Sequence, residues 1–453
     1  MNRGTASVPS WLLNLPAGWE IKRLKRSIAV EKNGIWGADP TGSIEDIPCI
    51  RVADFDRTNL VVTQAPTIRS VTLSERDGRL VSRGDLLLEK SGGGEMQPVG
   101  AVAMYQSETP AVCSNFVARI QAAADVDARF FLYVHAALYA QRINVRSIKQ
   151  TSGIQNLDSG AYFFEYAPFP PRNVQTKIAR FLDDKTKQSN ALIAEYESLI
   201  GLLDEKRVAV VTSAVSAGVG PGAAMKESNV GWFSTIPQRW SLTRLKYRTT
   251  KIGSGVTPRG GADSYVSSGV AFLRSQNVYD DGLRLDDVAY ISEDVDKTMS
   301  RTRLQVNDVL LNITGASIGR SSIVPEDVLP ANVNQHVCIV RPSATISAQF
   351  LAYALKSQAV REQIFGGENG SSREGLNYQQ VGNLWIAIPD TLEEQERIVS
   401  FLDNATRAID LLKAKVTKAI ALLNEHRSAL IVSAVTGATA EALCEGSLRE
   451  ATT

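Results

Sequence analysis

Ile178-Ala-Arg-Phe-Leu-Asp183 and Ile398-Val-Ser-Phe-Leu-Asp403 are one phrase written twice in the same chain. Each opens a ladder of positions spaced alternately by four and three residues. The first runs Ile178, Leu182, Lys185, Ser189, Leu192, Tyr196, Leu199, Leu203, Lys206, Val210. The second runs Ile398, Leu402, Ala405, Ile409, Leu412, Val416, Ala419, Leu423, His426, Leu430. Such spacing is the a/d seam of a helix paired lengthwise with another. No proline interrupts either run. Gly218 and Gly437 stand where glycines end helices, and the prolines at 168–171 and Pro389 mark the entries. The pattern predicts two helices of roughly 60 Å, at about 1.5 Å per residue, forming an antiparallel coiled coil within the chain. Its seam would set Ile178, Leu182, Leu192, Leu199 and Leu203 against Ile398, Leu402, Ile409, Leu412 and Leu423.

Outward from the ladders the repetition continues. Leu15-Pro-Ala-Gly-Trp-Glu-Ile-Lys-Arg-Leu-Lys25 returns as Ile236-Pro-Gln-Arg-Trp-Ser-Leu-Thr-Arg-Leu-Lys246, and Ser213-Ala-Val215 returns as Ser433-Ala-Val435, at an offset of 220 or 221 residues. That period is far too long for a solenoid, whose units run about 20–50 residues, so it marks a duplicated domain with an internal pseudo-twofold. Short apolar runs at 86–88, 101–103 and 117–120, and at 309–311, 322–324 and 337–340, sit between Gly, Asp and Pro punctuation and read as strands. Helices are expected at 128–142 and 348–365. The fold class is therefore α+β: two globular α/β segments separated by the two long helices. The expected division is 1–170 and 218–388 for the globular segments, 171–217 and 389–437 for the helices, and 438–453 for a tail. Residues 218–231, rich in Gly, Ala and Ser, read as a flexible link.

A chain of 453 residues can bury a sizeable core, and no run of about 18 apolar residues suggests a membrane span. Without a signal-peptide pattern the expected location is cytoplasmic. Cys49, Cys113, Cys338 and Cys444 lack paired spacing and read as reduced thiols rather than a disulfide frame or zinc site. A net charge of +1 argues against a uniformly basic DNA-binding surface, so any nucleic-acid contact must rest on local patches or a basic partner.

Motifs for catalysis are missing from the sequence. It holds no Walker A sequence, no His-Glu-x-x-His, no Gly-x-Ser-x-Gly and no Asn-Pro-Pro-aromatic. His135, His336 and His426 fall at unmatched positions of the repeat, and His135 and His426 read as structural. The expectation is a chain with no catalytic residue, no metal ligand and no cofactor of its own.

The order of these elements resembles the specificity subunits of type I restriction-modification enzymes. The resemblance rests on Leu-Pro-x-Gly-Trp followed by Arg-Leu (15–24, with Pro237, Trp240 and Leu245 in the second copy). It rests equally on Gln-x-x-Ile-x-x-Phe-Leu-Asp (Gln175 to Asp183, Gln395 to Asp403), the closing Ser-Ala-Val, and the pair Gly84-Asp-Leu-Leu-Leu88 and Asn307-Asp-Val-Leu-Leu311. Gln238-Arg239 departs from the usual x-Gly before Trp240. The resemblance implies that each globular segment is a target recognition domain reading one half of a bipartite, asymmetric site in double-stranded DNA. It implies that the helices set the spacer, that two adenine methyltransferase subunits dock on them, and that motor-nuclease subunits complete the complex. A methylation-only or fused system, or a coiled-coil scaffold for proteins, are the alternatives.

Candidate DNA-reading residues follow from chemistry, since phosphates take Arg, Lys and backbone N–H groups while base edges take Arg, Asn and Gln. In the first segment Lys90-Ser91-Gly92 offers close backbone approach after a strand. Arg142, Arg146 and Lys149 have helical spacing and lead into Gln150. In the second, Asn312 and Thr314 occupy the place of the first glycine loop, Arg274, Gln276 and Asn277 match Arg51-Val-Ala-Asp54, and Arg373 precedes Asn377. The plain alternative for each is a solvated loop, and for Arg51 and Arg274 a satisfied structural arginine.

Overall fold

The computed structural model describes residues 9–150, 153–220, 222–366 and 375–439. The chain forms two compact units, one of residues 1–197 with 417–453, the other of residues 198–416. Both long helices, Arg172–Ala217 and Leu392–Val435, are therefore shared out between the units.

In unit 1 the main sheet has five strands in the order Ile28–Asn33, Val117–Ala122, Leu86–Glu89, Val102–Tyr105, Val61–Val62. All neighbours are antiparallel except the last pair. Unit 2 repeats it with four antiparallel strands, Thr249–Ser254, Val337–Pro342, Val309–Asn312 and Ser321–Ile323. The central strands are buried on both faces, which is why they read as unbroken apolar runs. Each unit adds a smaller sheet with one parallel pair: 46–50 beside 112–113, and 270–273 beside 331–333.

The turn before each central strand explains a repeated dipeptide. Gly84 and Asn307 have φ of +92° and +67°, a left-handed conformation open to Gly and Asn but costly for most side chains. The following aspartate is buried and receives an arginine from the neighbouring strand: Arg119 Nε donates to Asp85 at 2.7 Å, Arg341 Nε to Asp308 at 2.6 Å.

The long helices enter the cores by their ends. In unit 1, Ile178 and Leu182 at the start of the first helix share a core with Phe130, Phe131 and Leu138 of helix Ala128–Ala140, and with Ile431, Ala434 and Val435 at the end of the second. Unit 2 mirrors this, with Ile398 and Leu402 beside Phe350, Leu355 and Trp240, and Val211, Ala214 and Val215 closing the core. Start beside end means that the helix segments run antiparallel inside each unit. Polar contacts fix the register. Arg427 donates to Asn190 in unit 1, while Arg207 pairs with Asp410 and Lys413 with Asp204 in unit 2.

The repeated Gln-x-x-Ile-x-x-Phe-Leu-Asp phrase is the joint between helix and globular part. Gln175 Oε1 accepts from Asp127 N at 2.9 Å, and Gln395 Oε1 from Ser347 N at 2.8 Å. Asp183 and Asp403 accept from the hydroxyls of Tyr133 and Tyr353 at 2.9 and 2.7 Å. The Pro-x-x-Trp segments seat on the opposite helix end. A Cβ on Gly437 would lie 2.5 Å from Pro16 and 3.2 Å from Trp19, and φ there is already +80°.

Four expectations need correction. The seam is turned by one residue at every second rung. Lys185, Lys206 and Leu412 are exposed, the last by 43%, while Thr186, Ile193, Arg207, Thr406 and Lys413 face inward. Ile178, Leu182, Leu203, Ile398, Leu402 and Ile409 are buried as expected, and Leu192, Leu199 and Leu423 are half-buried. At Arg207 and Lys413 the long stem can lie along the partner helix while the head pairs with Asp410 and Asp204, whereas Thr186 and Thr406 meet the hydroxyls of Tyr133 and Tyr353. His426, on the expected ladder, is exposed. The expected helix at 348–365 is two, Ala348–Lys356 and Gln358–Gly366, broken where Ser357 leaves the helical region with ψ of 151°. The link at 218–231 is not all flexible: Met225–Val230 is a strand paired with Phe233–Pro237.

Candidate nucleic-acid interface

Unit 1 presents its candidates from the far side of the central strand. Lys90 Nζ donates to Asn33 Oδ1, Ser91 Oγ to Asn156 Oδ1 at 2.7 Å, and Gly92 continues the ladder against Gln155. Gly93, at φ +60°, packs so closely on Val99 N and Gln97 O that no side chain fits. This is a tight backbone loop at 93–98, held from inside and open outside.

The basic stripe read at helical spacing is not one. Helix Ala128–Ala140 stops before it. Arg142 is left-handed at φ +57° and donates Nη2 to Glu95 O at 3.0 Å. Arg146 lies in a 3-10 turn, exposed, without a carboxylate partner among the described residues. Lys149 and Gln150 are exposed on strand Ile148–Gln150, and Lys149 is paired with Asp158 at 2.6 Å. The residues still share one edge, but through a turn and a strand.

In unit 2, Asn277 is buried and spent: its Oδ1 caps Arg274 N at 2.9 Å, and its Nδ2 donates to Arg284 O at 2.9 Å. Arg51 and Asp54 make the same turn in unit 1, where Arg51 N donates to Asp54 Oδ2 at 2.7 Å. Arg274 and Gln276 both reach Asp287 Oδ2, at 3.2 and 2.6 Å. Gln276 is exposed, whereas Arg274 is partly covered beside Tyr265. Asn312 is fully buried and donates to Ser275 O and Ser317 Oγ. Thr314, half-buried, meets His336 Nδ1 at 2.6 Å. Arg373 lies outside the described residues. Asn277 and Asn312 thus support the loop that carries Gln276, and do not themselves face solvent.

Two features escaped sequence reasoning. Arg284 and Arg320 lie 5.0 and 4.7 Å from the ring of Tyr279, a cation–π stack three residues beyond Gln276. The second occurs in both units. Arg23 lies 4.7 Å from Phe164 and 5.1 Å from Tyr166, and Arg244 lies 5.0 Å from Trp385. Strand pairing creates it, since Arg23 opposes Tyr166 and Arg244 opposes Trp385. The duplicated Arg-Leu-Lys was the available signal; its aromatic partners lie more than a hundred residues away.

Several titratable groups are sealed in the cores. Burial pushes Cys49 up to about 11 and Cys113 and Cys338 to about 12, which keeps these thiols protonated. Cys444 lies outside the described residues. His135, enclosed beside the Tyr162 hydroxyl at 2.8 Å, is held down to about 3 by burial. Among the described residues no helix is long and apolar enough to cross a membrane.

Comparison with known proteins gives a consistent picture. Residues 262–421 match the family described as type I restriction modification DNA specificity domain. The type I restriction enzyme EcoBI specificity subunit of Escherichia coli is 26% identical over 341 residues, covering 72% of this chain and 69% of the relative. A protein of Methanocaldococcus jannaschii assigned as the type I restriction enzyme MjaX specificity subunit is 21% identical, covering 87% and 88%. A solved structure described as the basis of complex assembly and conformational transition of the type I R-M system has the same fold. Its TM-score is 0.69 at 16% identity, covering 93% of this chain and 98% of that one.

Proposed function

We propose that the chain is a specificity subunit of a type I restriction-modification enzyme and reads a bipartite, asymmetric duplex site, one half per globular part, as its similarity to such subunits supports. The observation that carries this is one frame with two different faces. The helix joints, the buried Asp–Arg pairs and the Pro-x-x-Trp seats recur in both units. The segments after the central strands do not, since Lys90-Ser-Gly-Gly-Gly stands in one and Asn312-Ile-Thr-Gly in the other. Two readers tuned to different bases on a common support have this form.

In this reading Lys90, Arg142, Arg146, Lys149 and Gln150 meet the first half-site, with Ser91 and Gly92 fixing the loop behind Lys90 through their pairing with Asn156 and Gln155. Gln276, Arg274 and Thr314 meet the second, with Asn277 and Asn312 holding their loop. The helices set the spacer and dock two adenine methyltransferase subunits, and motor-nuclease subunits complete the assembly. The chain performs no reaction itself, holds no cofactor and works in the cytoplasm.

The experiment is duplex binding by the chain with its methyltransferase partner. The complex should prefer one bipartite sequence and lose affinity steeply with salt, as phosphate contacts demand. Equal binding to every duplex contradicts the reading. Gln276→Ala should relax readout at one half-site only.

A further inference from the structure

Unit 1 holds a cavity of about 720 Å³ between its globular part and the last turns of the second long helix. We propose that it binds a nucleoside monophosphate. The size lies within the roughly 300–1,000 Å³ of small-molecule sites. Part of its wall is apolar and aromatic, with Phe55, Leu60, Met96, Ala136, Tyr139 and Ile431. Such walls suit the faces of a base and sugar.

Its charge has one sign. Arg57, Arg142 and Arg427 line it, and no Asp or Glu does. Arg57 Nη2 donates to Glu89 at 2.8 Å, but its Nη1 is buried without a partner. Arg427 spends only Nη1, on Thr58 O and Asn190. Guanidinium forks with free donors are phosphate ligands, often bidentate. Gln97, also in the lining, carries an amide able to meet a base edge, and Asn424, whose Nδ2 donates to Ile420 O at 3.1 Å, offers its Oδ1 as an acceptor.

The repeat supplies a control. Tyr133 and Thr186 on this cavity match Tyr353 and Thr406 on a cavity of about 690 Å³ in unit 2. There Lys356 stands at the position of Ala136, and Asp280, Asp281, Asp403 and Asp410 line the wall with Arg207 and Arg407. Mixed charge does not favour an anion. The open, acid-free version is confined to unit 1.

The test is calorimetric titration of the full chain with AMP, adenosine and inorganic phosphate. AMP should bind, with adenosine and phosphate each about tenfold weaker or worse, because base and phosphate sites must both be filled. Ala136→Leu narrows the cavity without touching a charge and should abolish AMP binding while melting as wild type. Arg142→Gln, at an exposed position, should weaken it about tenfold. A single-stranded oligonucleotide separates the sources: displacement of AMP shows that the nucleotide can come from a strand, and no displacement that it is free. No AMP binding overturns the proposal. So does phosphate binding as tightly as AMP, or AMP binding that survives both substitutions.

Discussion

Unit 1 and unit 2 solve the same packing problem with different residues at matched places. The cross-helix contact is Arg427 to Asn190 in one and Arg207 to Asp410 in the other. The first is a guanidinium on a neutral amide, which also reaches the backbone of Thr58 in the globular part. The second is an ion pair that stays on the helices. Behind them, His135 of unit 1 stands where unit 2 has Leu355, both buried. The difference teaches that the geometry of the joint is kept by position and register, whereas the chemistry at each position is free to change.

The comparison breaks hardest at the seam. Leu182→Ala and Leu402→Ala, at fully buried matched positions, should each cost about 2–5 kcal/mol in denaturant melts. Leu412→Ala, on the exposed side, should stay within about 0.5 kcal/mol. A large loss at Leu412 would restore the unturned ladder.

Next is the buried Asp–Arg pair. Asp308→Ala strands Arg341 and should cost about 3–5 kcal/mol, as should Asp85→Ala for Arg119. Unequal losses would show that the two units do not rely on the pair alike.

The sharper discriminator is acid. His135 titrates at about 3 when folded, against 6.5 when free. Between these values the unfolded chain binds more protons, so stability drops as the pH is lowered, by about 1.4 kcal/mol per unit at most. Unit 1 should therefore lose stability from about pH 6.5 downward. His135→Leu, which installs unit 2's residue, should flatten that slope. A slope that survives the substitution assigns it to other groups.

The smallest effect belongs to the surface. Gln276→Ala should leave the melting curve unchanged and alter binding at one half-site.

Much of this was legible because duplication acts as an internal alignment. The Gln-x-x-Ile-x-x-Phe-Leu-Asp phrase located both joints, and the glycines at 218 and 437 ended both helices at φ of +79° and +80°. The turned seam was not legible. A hydrophobic count favours Leu412 over Lys413, and only the partner's Asp204 makes the lysine face inward. The site was harder still. Arg142, Arg146 and Lys149 have helical spacing, yet Asn144 is buried with its amide on Val99 O at 2.7 Å, in a 3-10 turn beyond the helix end. Asn277 and Asn312 have base-reading chemistry but spend their amide N–H groups inside the fold, on Arg284 O and on Ser275 O and Ser317 Oγ.

Two differently tuned readers carried by one repeated frame make one separable claim. Mapping methylated adenines in cells that carry the chain and its partners, with wild type and with Gln276→Ala, tests it most directly. The account predicts a motif of two short specified halves around an unread spacer, absent without the chain, and altered in one half alone by the substitution. A single continuous motif, or methylation that persists without the chain, would contradict it.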